Sequence, residues 1–233
     1  MTTSVGDAVR TALRGVGQVL ITVGLVLLLF CVYELEVTNL VTNREQKRLH
    51  TEIERTWAKP PTATAPGLRP VAVELGSAFA VIRIPRLDSD RSHPYARVVV
   101  EGTSTADLKE GPGHIVQSGQ PGKLGNLVIS GHRTTYGAPF ADLDRLRPGD
   151  AVVLETRDTW FTYRVTGTEV VRPTDIAVTY PVPRQPGAAP TRSVLTLTTC
   201  NPKYSATERM VVSGVLDTSL PKSQGDPPAL TGG

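Results

Sequence analysis

An uncharged apolar run near the N-terminus is the feature that most constrains how this chain folds. Residues Gly15 to Tyr33 (GVGQVLITVGLVLLLFCVY) span 19 positions without a charged side chain. As a helix, this run would be about 28 Å long, which is close to the hydrocarbon thickness of a bilayer. The run therefore predicts one transmembrane helix at 15–33, preceded by a short N-terminal segment at 1–14.

Two other interpretations of this run agree less well with the residues around it. A cleaved signal peptide has a shorter apolar core, and no small-x-small cleavage site follows Tyr33. A lipoprotein signal needs a small residue before the modified cysteine, whereas Phe30 precedes Cys31. Cys31 is more simply a small hydrophobic residue that faces lipid or a neighbouring helix.

The charges that flank the apolar run indicate its orientation. Arg10 and Arg14 lie just before the run, and Glu34 and Glu36 lie just after it. Because basic residues near a transmembrane helix favour the cytoplasmic side, we expect a cytoplasmic N-terminus. The chain is then a single-pass protein of the cell membrane, with everything after the helix outside the cell.

The rest of the chain divides by composition. The segment at 34–70 begins with a polar stretch that has no Gly or Pro up to Trp57, which predicts a helical stalk. It ends in a run rich in Pro, Thr and Ala (KPPTATAPGLRP, Lys59 to Pro70), which predicts an extended linker. We expect a folded domain at 71–217 and a disordered tail at 218–233, since the tail is polar, rich in Pro and Gly, and lacks periodicity.

Within the folded domain, short runs of β-type composition alternate with turn residues. This spacing predicts a mostly β sandwich or barrel. Short helices at Ser104 to Lys109 and Pro139 to Leu146 would decorate the sheet. The predicted strands are Ala78 to Ile84, Arg97 to Val100, Asn126 to Ser130, Ala151 to Glu155, Trp160 to Val171, Ser193 to Thr199 and Met210 to Leu216.

The composition argues against two kinds of partner for this domain, nucleic acid and metal ions. The formal net charge is only +3 over 233 residues, and the basic residues are mixed with acidic ones instead of forming a stripe. Nucleic acid is therefore not expected as a partner. The spacing of His and Cys matches no metal-ligand set, and we find no cluster of acidic residues for calcium, so we expect no metal and no cofactor.

Cys200 is the residue that points most directly to chemistry. The chain has two cysteines, and Cys31 lies at membrane depth, so Cys200 is left as a free thiol in the exported part. A nucleophilic cysteine needs a nearby base or cation that favours the thiolate. The alternative is an inert cysteine that packs at the end of a strand.

Among the four histidines, His132 is the best candidate for that base. It ends the apolar run 126–131, so a strand would deliver its imidazole to the rim of the sheet. His50 lies in the stalk, His93 precedes Pro94 in an apparent loop, and His114 follows Gly111-Pro112-Gly113. Taken alone, His132 would be a hydrogen-bonded surface histidine.

Arg209 is the candidate cation. It opens the strand that follows Cys200, after a short loop at 201–208. If the two strands are neighbours, thiol and guanidinium face one cleft, where the guanidinium can stabilise negative charge on a carbonyl oxygen during acyl transfer. The alternative is a surface salt bridge with Glu208 or Asp217.

These residues resemble the signature of the sortases, the cysteine transpeptidases of Gram-positive bacteria. The sequence TLTTC that ends at Cys200, with Arg209 nine residues later, is similar to the TLxTC and Arg motif of that family. Ser130-Gly-His132-Arg133 is similar to its histidine motif. The run from His132 to Leu146 resembles class E sortases of actinobacteria, as do YEL from Tyr33 and the Thr38-Asn39 pair after the membrane span.

The resemblance implies an eight-stranded β-barrel of sortase type with short helices. Cys200 would end the seventh strand, Arg209 would open the eighth, and the segment from Arg172 to Arg192 would be the long connection that shapes substrate binding. Thr199 would contact the substrate or the oxyanion, or else only line the strand.

The resemblance also implies a reaction. Cys200 would attack the Thr-Gly bond of a C-terminal sorting motif of LAxTG or LPxTG type in a secreted protein, and an amine of a cell-wall precursor would resolve the thioacyl enzyme. His132 would act as acid and base. Two alternatives stay open at this point: a hydrolytic cysteine peptidase, in which water replaces the amine, and an anchored β-domain that binds a wall component without catalysis.

Overall fold

An eight-stranded β-barrel forms the centre of the computed structural model, which describes residues 5–33, 38–59, 73–90 and 94–231. The sheet closes in the order β1-β2-β3-β4-β7-β8-β6-β5. Most neighbours are antiparallel, but β2 with β3 and β4 with β7 are parallel. The strands are β1 (Ala78–Arg83), β2 (Ala96–Glu101), β3 (Gly113–His114), β4 (Gly125–Ser130), β5 (Ala151–Glu155), β6 (Thr159–Val171), β7 (Ser193–Asn201) and β8 (Glu208–Pro221).

Alternation along the strands fills the barrel. Successive residues of a strand point to opposite faces, so every second side chain enters the interior. On β7 these are Leu195 and Leu197, and on β8 they are Met210 and Val212, all of which belong to one buried cluster. The intervening residues of both strands therefore lie on the outer face of the barrel.

The predicted β-barrel is confirmed, and each strand predicted from residue patterns corresponds to a strand of the structure. β3 was not predicted from the residues, because its two positions, Gly113 and His114, directly follow Gly111-Pro112 and are too few to show β-type periodicity. The helix predicted at Ser104 to Lys109 is α3 (Thr105–Glu110), which begins with a capping box between Ser104 and Asp107.

The helix predicted at Pro139 to Leu146 is wrong, since only Leu143–Arg145 is helical, as one 3₁₀ turn. The backbone of Phe140 is instead used to close a loop, because its N–H donates to the carbonyl of His132 at 3.0 Å. The apolar side chains of this segment, Phe140, Leu143 and Leu146, are buried in the barrel core.

The first helix, α1 (Val5–Val32), contains the apolar run. Its stretch Val9–Val32 is long and apolar enough to cross a membrane, and none of the most apolar part is buried in the protein. This agrees with the predicted transmembrane helix, whose orientation remains a prediction.

The second helix, α2 (Thr38–Ala58), differs from the predicted stalk because it packs on the barrel. Leu49 and Ile53 are 1% and 2% exposed and contact Val81, Val98 and Val100. The Gln46 amide accepts from the N–H of Val98 at 2.8 Å and donates to its carbonyl at 3.0 Å. The linker expected from Lys59 to Pro70 lies, apart from Lys59, outside the described residues.

The end of the chain also differs from the disordered tail predicted at 218–233. β8 continues to Pro221, which pairs with Thr159 of β6, and the short helix α4 (Pro228–Thr231) follows. Lys222 donates to Glu155 at 2.6 Å and lies 4.2 Å from the ring centre of Trp57 in α2. Backbone pairing and this cation order a segment whose composition alone favours disorder.

Candidate active site

The parallel pairing of β4 with β7 brings the segments of His132 and Cys200 together. Ser130, the last residue of β4, is the partner of Thr198 on β7. β4 ends at this pair, and two residues farther along the two chains come His132 and Cys200. Sequence separation alone, which is 68 positions here, gives no indication of this proximity.

Two hydrogen bonds hold the chain next to β7 beyond the end of β4. The N–H of Gly131 donates to the carbonyl of Thr198 at 3.1 Å, and the Thr199 hydroxyl donates to the carbonyl of Gly131 at 2.8 Å. Residue 131 has to be glycine, because a Cβ there would lie 2.7 Å from the ring of Phe140. The residue directly before His132 is therefore fixed from both sides.

Cys200 and Arg209 face each other across neighbouring strands. They are direct partners in the antiparallel pair of β7 and β8. Side chains of directly opposite residues lie on the same face of a sheet, with Cβ atoms about 5 Å apart. The Arg209 guanidinium is oriented by Nη1, which donates to the carbonyls of Ala206 at 3.0 Å and Glu208 at 2.8 Å.

The face on which these two residues lie is the outside of the barrel. Cys200 is half-buried, so its thiol is accessible. Farther along this face the connection between β6 and β7 covers the strands, since Val178 packs against Val171 and Val211. The Asn126 side chain also donates to the carbonyls of Val178 and Tyr180, both at 3.0 Å, which fixes that connection over β4.

His132 lies in a partly desolvated and positively charged setting. Its ring centre is 5.0 Å from the ring centre of Tyr136. Lys109 Nζ lies on the same tyrosine, 5.6 Å from its ring centre. Burial lowers the pKa of His132, and the like charge of Lys109 lowers that pKa further. The imidazole is consequently neutral over more of the pH range than a solvated histidine, which suits a proton acceptor.

Arg133 connects the histidine segment to the cysteine strand. Its side chain is buried, at 5% exposure, and Nη1 donates to the Cys200 carbonyl at 3.3 Å and to Asn201 Oδ1 at 2.5 Å. Nη2 lies 3.4 Å from Asp144. Within the described ranges, Nε of Arg133 has no hydrogen-bond partner.

The other histidines have structural partners. His114 is fully buried, stacks on Phe79 at 4.3 Å and lies 3.0 Å from both carboxylate oxygens of Glu101. His50 pairs with Glu54 one turn along α2. His93 lies outside the described residues.

Thr199 points into the barrel, unlike its neighbour Cys200. It is buried, and its hydroxyl donates a hydrogen bond to the carbonyl of Gly131. This geometry gives Thr199 a structural partner, and the substrate contact expected for it remains a prediction.

The described residues contain no metal-binding cluster, and two cavities lie away from Cys200. In the part of the chain that the structure describes, no group of three or more His, Cys, Asp or Glu side chains could hold a metal ion. Two cavities of about 740 Å³ lie elsewhere, one lined by Arg86 and Asp150 and the other by Tyr95 and Trp160. Cys200, His132 and Arg209 line neither of these two cavities.

Comparison with known proteins identifies the family to which this architecture belongs. The model of the sortase domain matches residues 82–217. The chain belongs to the sortase family of cysteine transpeptidases. Its similarity to sortases named as class E members confirms the subclass that the motifs indicated.

Three relatives illustrate this similarity. Sortase SrtE1 of Streptomyces coelicolor is 33% identical over 232 residues, which is 96% of this chain but 62% of that protein. The structure of sortase E from Streptomyces avermitilis is 43% identical, with a TM-score of 0.60 over 67% of this chain and 99% of that one. The structure of S. coelicolor sortase E1 with a tripeptide in its active site is 34% identical, with a TM-score of 0.60 over 68% and 99%.

Proposed function

We propose that this protein is a membrane-anchored transpeptidase whose exported domain cleaves a sorting motif of LAxTG or LPxTG type between Thr and Gly. It then joins the acyl fragment to an amine of a cell-wall precursor. Cys200 is the nucleophile, His132 the acid and base, and Arg209 the stabiliser of the oxyanion. The observation that carries the proposal is the direct cross-strand pairing of Cys200 with Arg209, together with the hydrogen bonds that hold Gly131, the residue before His132, against β7.

The acylation step begins with proton transfer. Neutral His132 accepts the proton of the Cys200 thiol, and the thiolate attacks the threonine carbonyl carbon. The oxygen of the tetrahedral intermediate becomes negative, and the Arg209 guanidinium on the same face stabilises it. His132 then gives its proton to the glycine nitrogen, so the C–N bond breaks, the amine leaves and a thioester remains on Cys200.

The second step repeats this chemistry with an incoming amine. Neutral His132 accepts a proton from the amine as its nitrogen attacks the thioester carbonyl, and Arg209 again stabilises the oxyanion. The C–S bond breaks as the new amide forms. The departing Cys200 thiolate recovers the proton held by His132, which returns the enzyme to its starting state.

The location of the acyl donor follows from the position of Cys200 on the barrel. Cys200 is half-buried on the outer face of the barrel, and the β6–β7 connection with Val178 forms one wall beside it. We infer that the sorting peptide lies across this face between that connection and the loop after His132. The tripeptide in the active site of the related S. coelicolor enzyme supports a peptide ligand.

The decisive experiment supplies a panel of sorting peptides together with a small amine, and identifies the products by mass. The account predicts an amide between the threonine carboxyl and the added amine, and no such product from Cys200→Ala. Cys31→Ala is the matched control, since its thiol lies in the apolar helix, and it should retain full turnover. Hydrolysis alone at saturating amine would indicate a peptidase, and turnover that does not require Cys200 would contradict the proposal.

A further inference from the structure

Three residues that directly neighbour the proposed catalytic side chains in sequence are hydrogen-bonded to one another. Arg133 follows His132, Asn201 follows Cys200, and Glu208 precedes Arg209. Arg133 Nη1 donates to Asn201 Oδ1 at 2.5 Å, and Asn201 Nδ2 donates to Glu208 Oε2 at 2.8 Å. The three catalytic positions are thus accompanied by a second, connected set of three.

The hydrogen bonds of this second set require a fixed order of donors and acceptors. A guanidinium can only donate and a carboxylate can only accept, so the residue between them has to accept on one side and donate on the other. The amide of Asn201 has both groups in one planar side chain. An aspartate at 201 would keep the bond to Arg133 and would lose the bond to Glu208, since two carboxylates would then face each other.

Arg133 anchors the set in the protein interior. It is 5% exposed, whereas Asn201 is half-buried and Glu208 is exposed. The same Nη1 also donates to the carbonyl of Cys200 at 3.3 Å, so one guanidinium nitrogen reaches the main chain of the nucleophile and the side chain of the next residue. Breaking the hydrogen bonds of a buried charged group is strongly unfavourable in free energy, because the buried charge is left without a partner.

We propose that Arg133, Asn201 and Glu208 form a positioning network that sets the relative placement of His132, Cys200 and Arg209. The proposal rests on the proposed function, since it assigns those three side chains to the reaction. None of the network residues has to touch the substrate. Each acts by fixing the backbone of the catalytic residue beside it, and a displacement of about 1 Å in such a constellation reduces the rate by about 10²-fold.

The experiment reverses the hydrogen-bond donor and acceptor between positions 201 and 208. Asn201→Asp keeps the acceptor for Arg133 and opposes a carboxylate to Glu208, so kcat should fall by about tenfold or more with little change in KM. Glu208→Gln alone should be near wild type, because the Asn201 amide can still donate to Gln at 208. In the double variant Asn201→Asp/Glu208→Gln, the glutamine amide donates to the aspartate, and kcat should return to within about threefold of wild type.

A matched double variant separates hydrogen bonding from charge. Asn201→Asp/Glu208→Ala has the same charges as the rescued variant but has no donor at 208, and it should remain as slow as Asn201→Asp. Equal rescue by Ala and Gln, or wild-type kcat in Asn201→Asp, would overturn the network. Melting temperatures of all five proteins show whether the rate differences follow folding, and a kcat that tracks the melting temperature would also contradict a positioning role.

The reaction rate of the Cys200 thiol with iodoacetamide keeps this test separate from the proposed function. If the wild type forms no amide product with any sorting peptide, the proposed function fails. The same five proteins are then compared by alkylation, in a Cys31→Ala background so that only Cys200 reacts. Slow alkylation in Asn201→Asp with recovery only in the Gln double variant supports the network, and equal alkylation rates in all five overturn it.

Discussion

Among the proposed catalytic residues, Arg209 is the one whose role depends most on the shape of its side chain. Its Nη1 is held by the backbone carbonyls of Ala206 and Glu208, and Arg209 is the direct partner of Cys200 across the strand pair. A lysine carries the same charge but not the planar fork. We expect Arg209→Lys to lower kcat by about 10²-fold, the usual cost of losing one oxyanion donor.

The matched control for this change is Arg164→Lys. Arg164 lies on β6 in an exposed pair with Asp217, which is the surface role that was the alternative for Arg209. Steady-state kinetics on a sorting peptide should give wild-type values for this control. A kcat for Arg209→Lys close to that of the control would remove Arg209 from the reaction.

The pKa of His132 provides a second prediction for a single side chain. Burial lowers this pKa first, and Lys109 lowers it further, so Lys109→Gln should raise the His132 pKa while leaving it below its ordinary value. NMR titration of the imidazole protons measures this shift, with Lys123→Gln, an exposed lysine elsewhere, as the control. An unchanged or lower pKa in Lys109→Gln would contradict the electrostatic part of this account.

The same shift determines how His132 affects stability. Because the pKa is lower in the folded state, the unfolded chain binds the proton more readily below about pH 6.5. His132 therefore makes its full contribution to the free energy of unfolding above about pH 6.5, and this contribution decreases as the pH falls toward the folded-state pKa of His132.

The sequence predicted the proposed catalytic residues better than the residues that position them. Cys200 was identifiable as the free exported thiol, and His132 and Arg209 by their spacing from strand-like runs. Asn201 and Glu208 carried no such signal, because their value depends on a hydrogen bond between two strands and on a guanidinium 68 positions away from Asn201. A short-range pattern cannot report a contact of that kind.

At the level of elements, α2 packs on the barrel through a small apolar cluster. Leu49 is 1% exposed among Val81, Val98 and Val100, so Leu49→Ala should lower the free energy of unfolding by about 2–5 kcal/mol. Leu40→Ala is the control in the same helix, since Leu40 is 59% exposed. Chemical denaturation of the domain from residue 38 onward measures both. Equal loss in the two variants would mean that α2 does not pack on the barrel in solution.

α2 also reaches the loop that carries His132. Asn39 Oδ1 accepts from the N–H of Gly137 at 2.8 Å, and Gly137 has a φ of 72°, in the region that favours glycine. The predicted stalk differs from this packed helix because its composition is polar and only two of its apolar residues, Leu49 and Ile53, are buried. The contacts of α2 depend on amide hydrogen bonds to β2 as much as on apolar surface, and hydrophobic periodicity does not detect those bonds.

For the whole molecule, the charges that flank the apolar helix and the Cys200 thiol give one prediction about topology. Cys31 lies in the helix that is apolar enough to span a membrane, and Cys200 lies at the half-buried site. We expect a membrane-impermeant maleimide to label Cys200 on intact cells of the expressing host, and Cys200→Ala to abolish that labelling. Labelling of the wild type only after lysis would reverse the proposed orientation.

The proposed reaction requires that a sorting peptide acylates Cys200. Intact-protein mass spectrometry of the enzyme incubated with the peptide, without added amine, measures this directly. The account predicts an adduct whose mass is that of the acyl fragment ending at threonine, which is lost on addition of an amine and is absent in Cys200→Ala. An unmodified wild-type protein whose peptide is nevertheless cleaved, or an adduct that persists in Cys200→Ala, would contradict it.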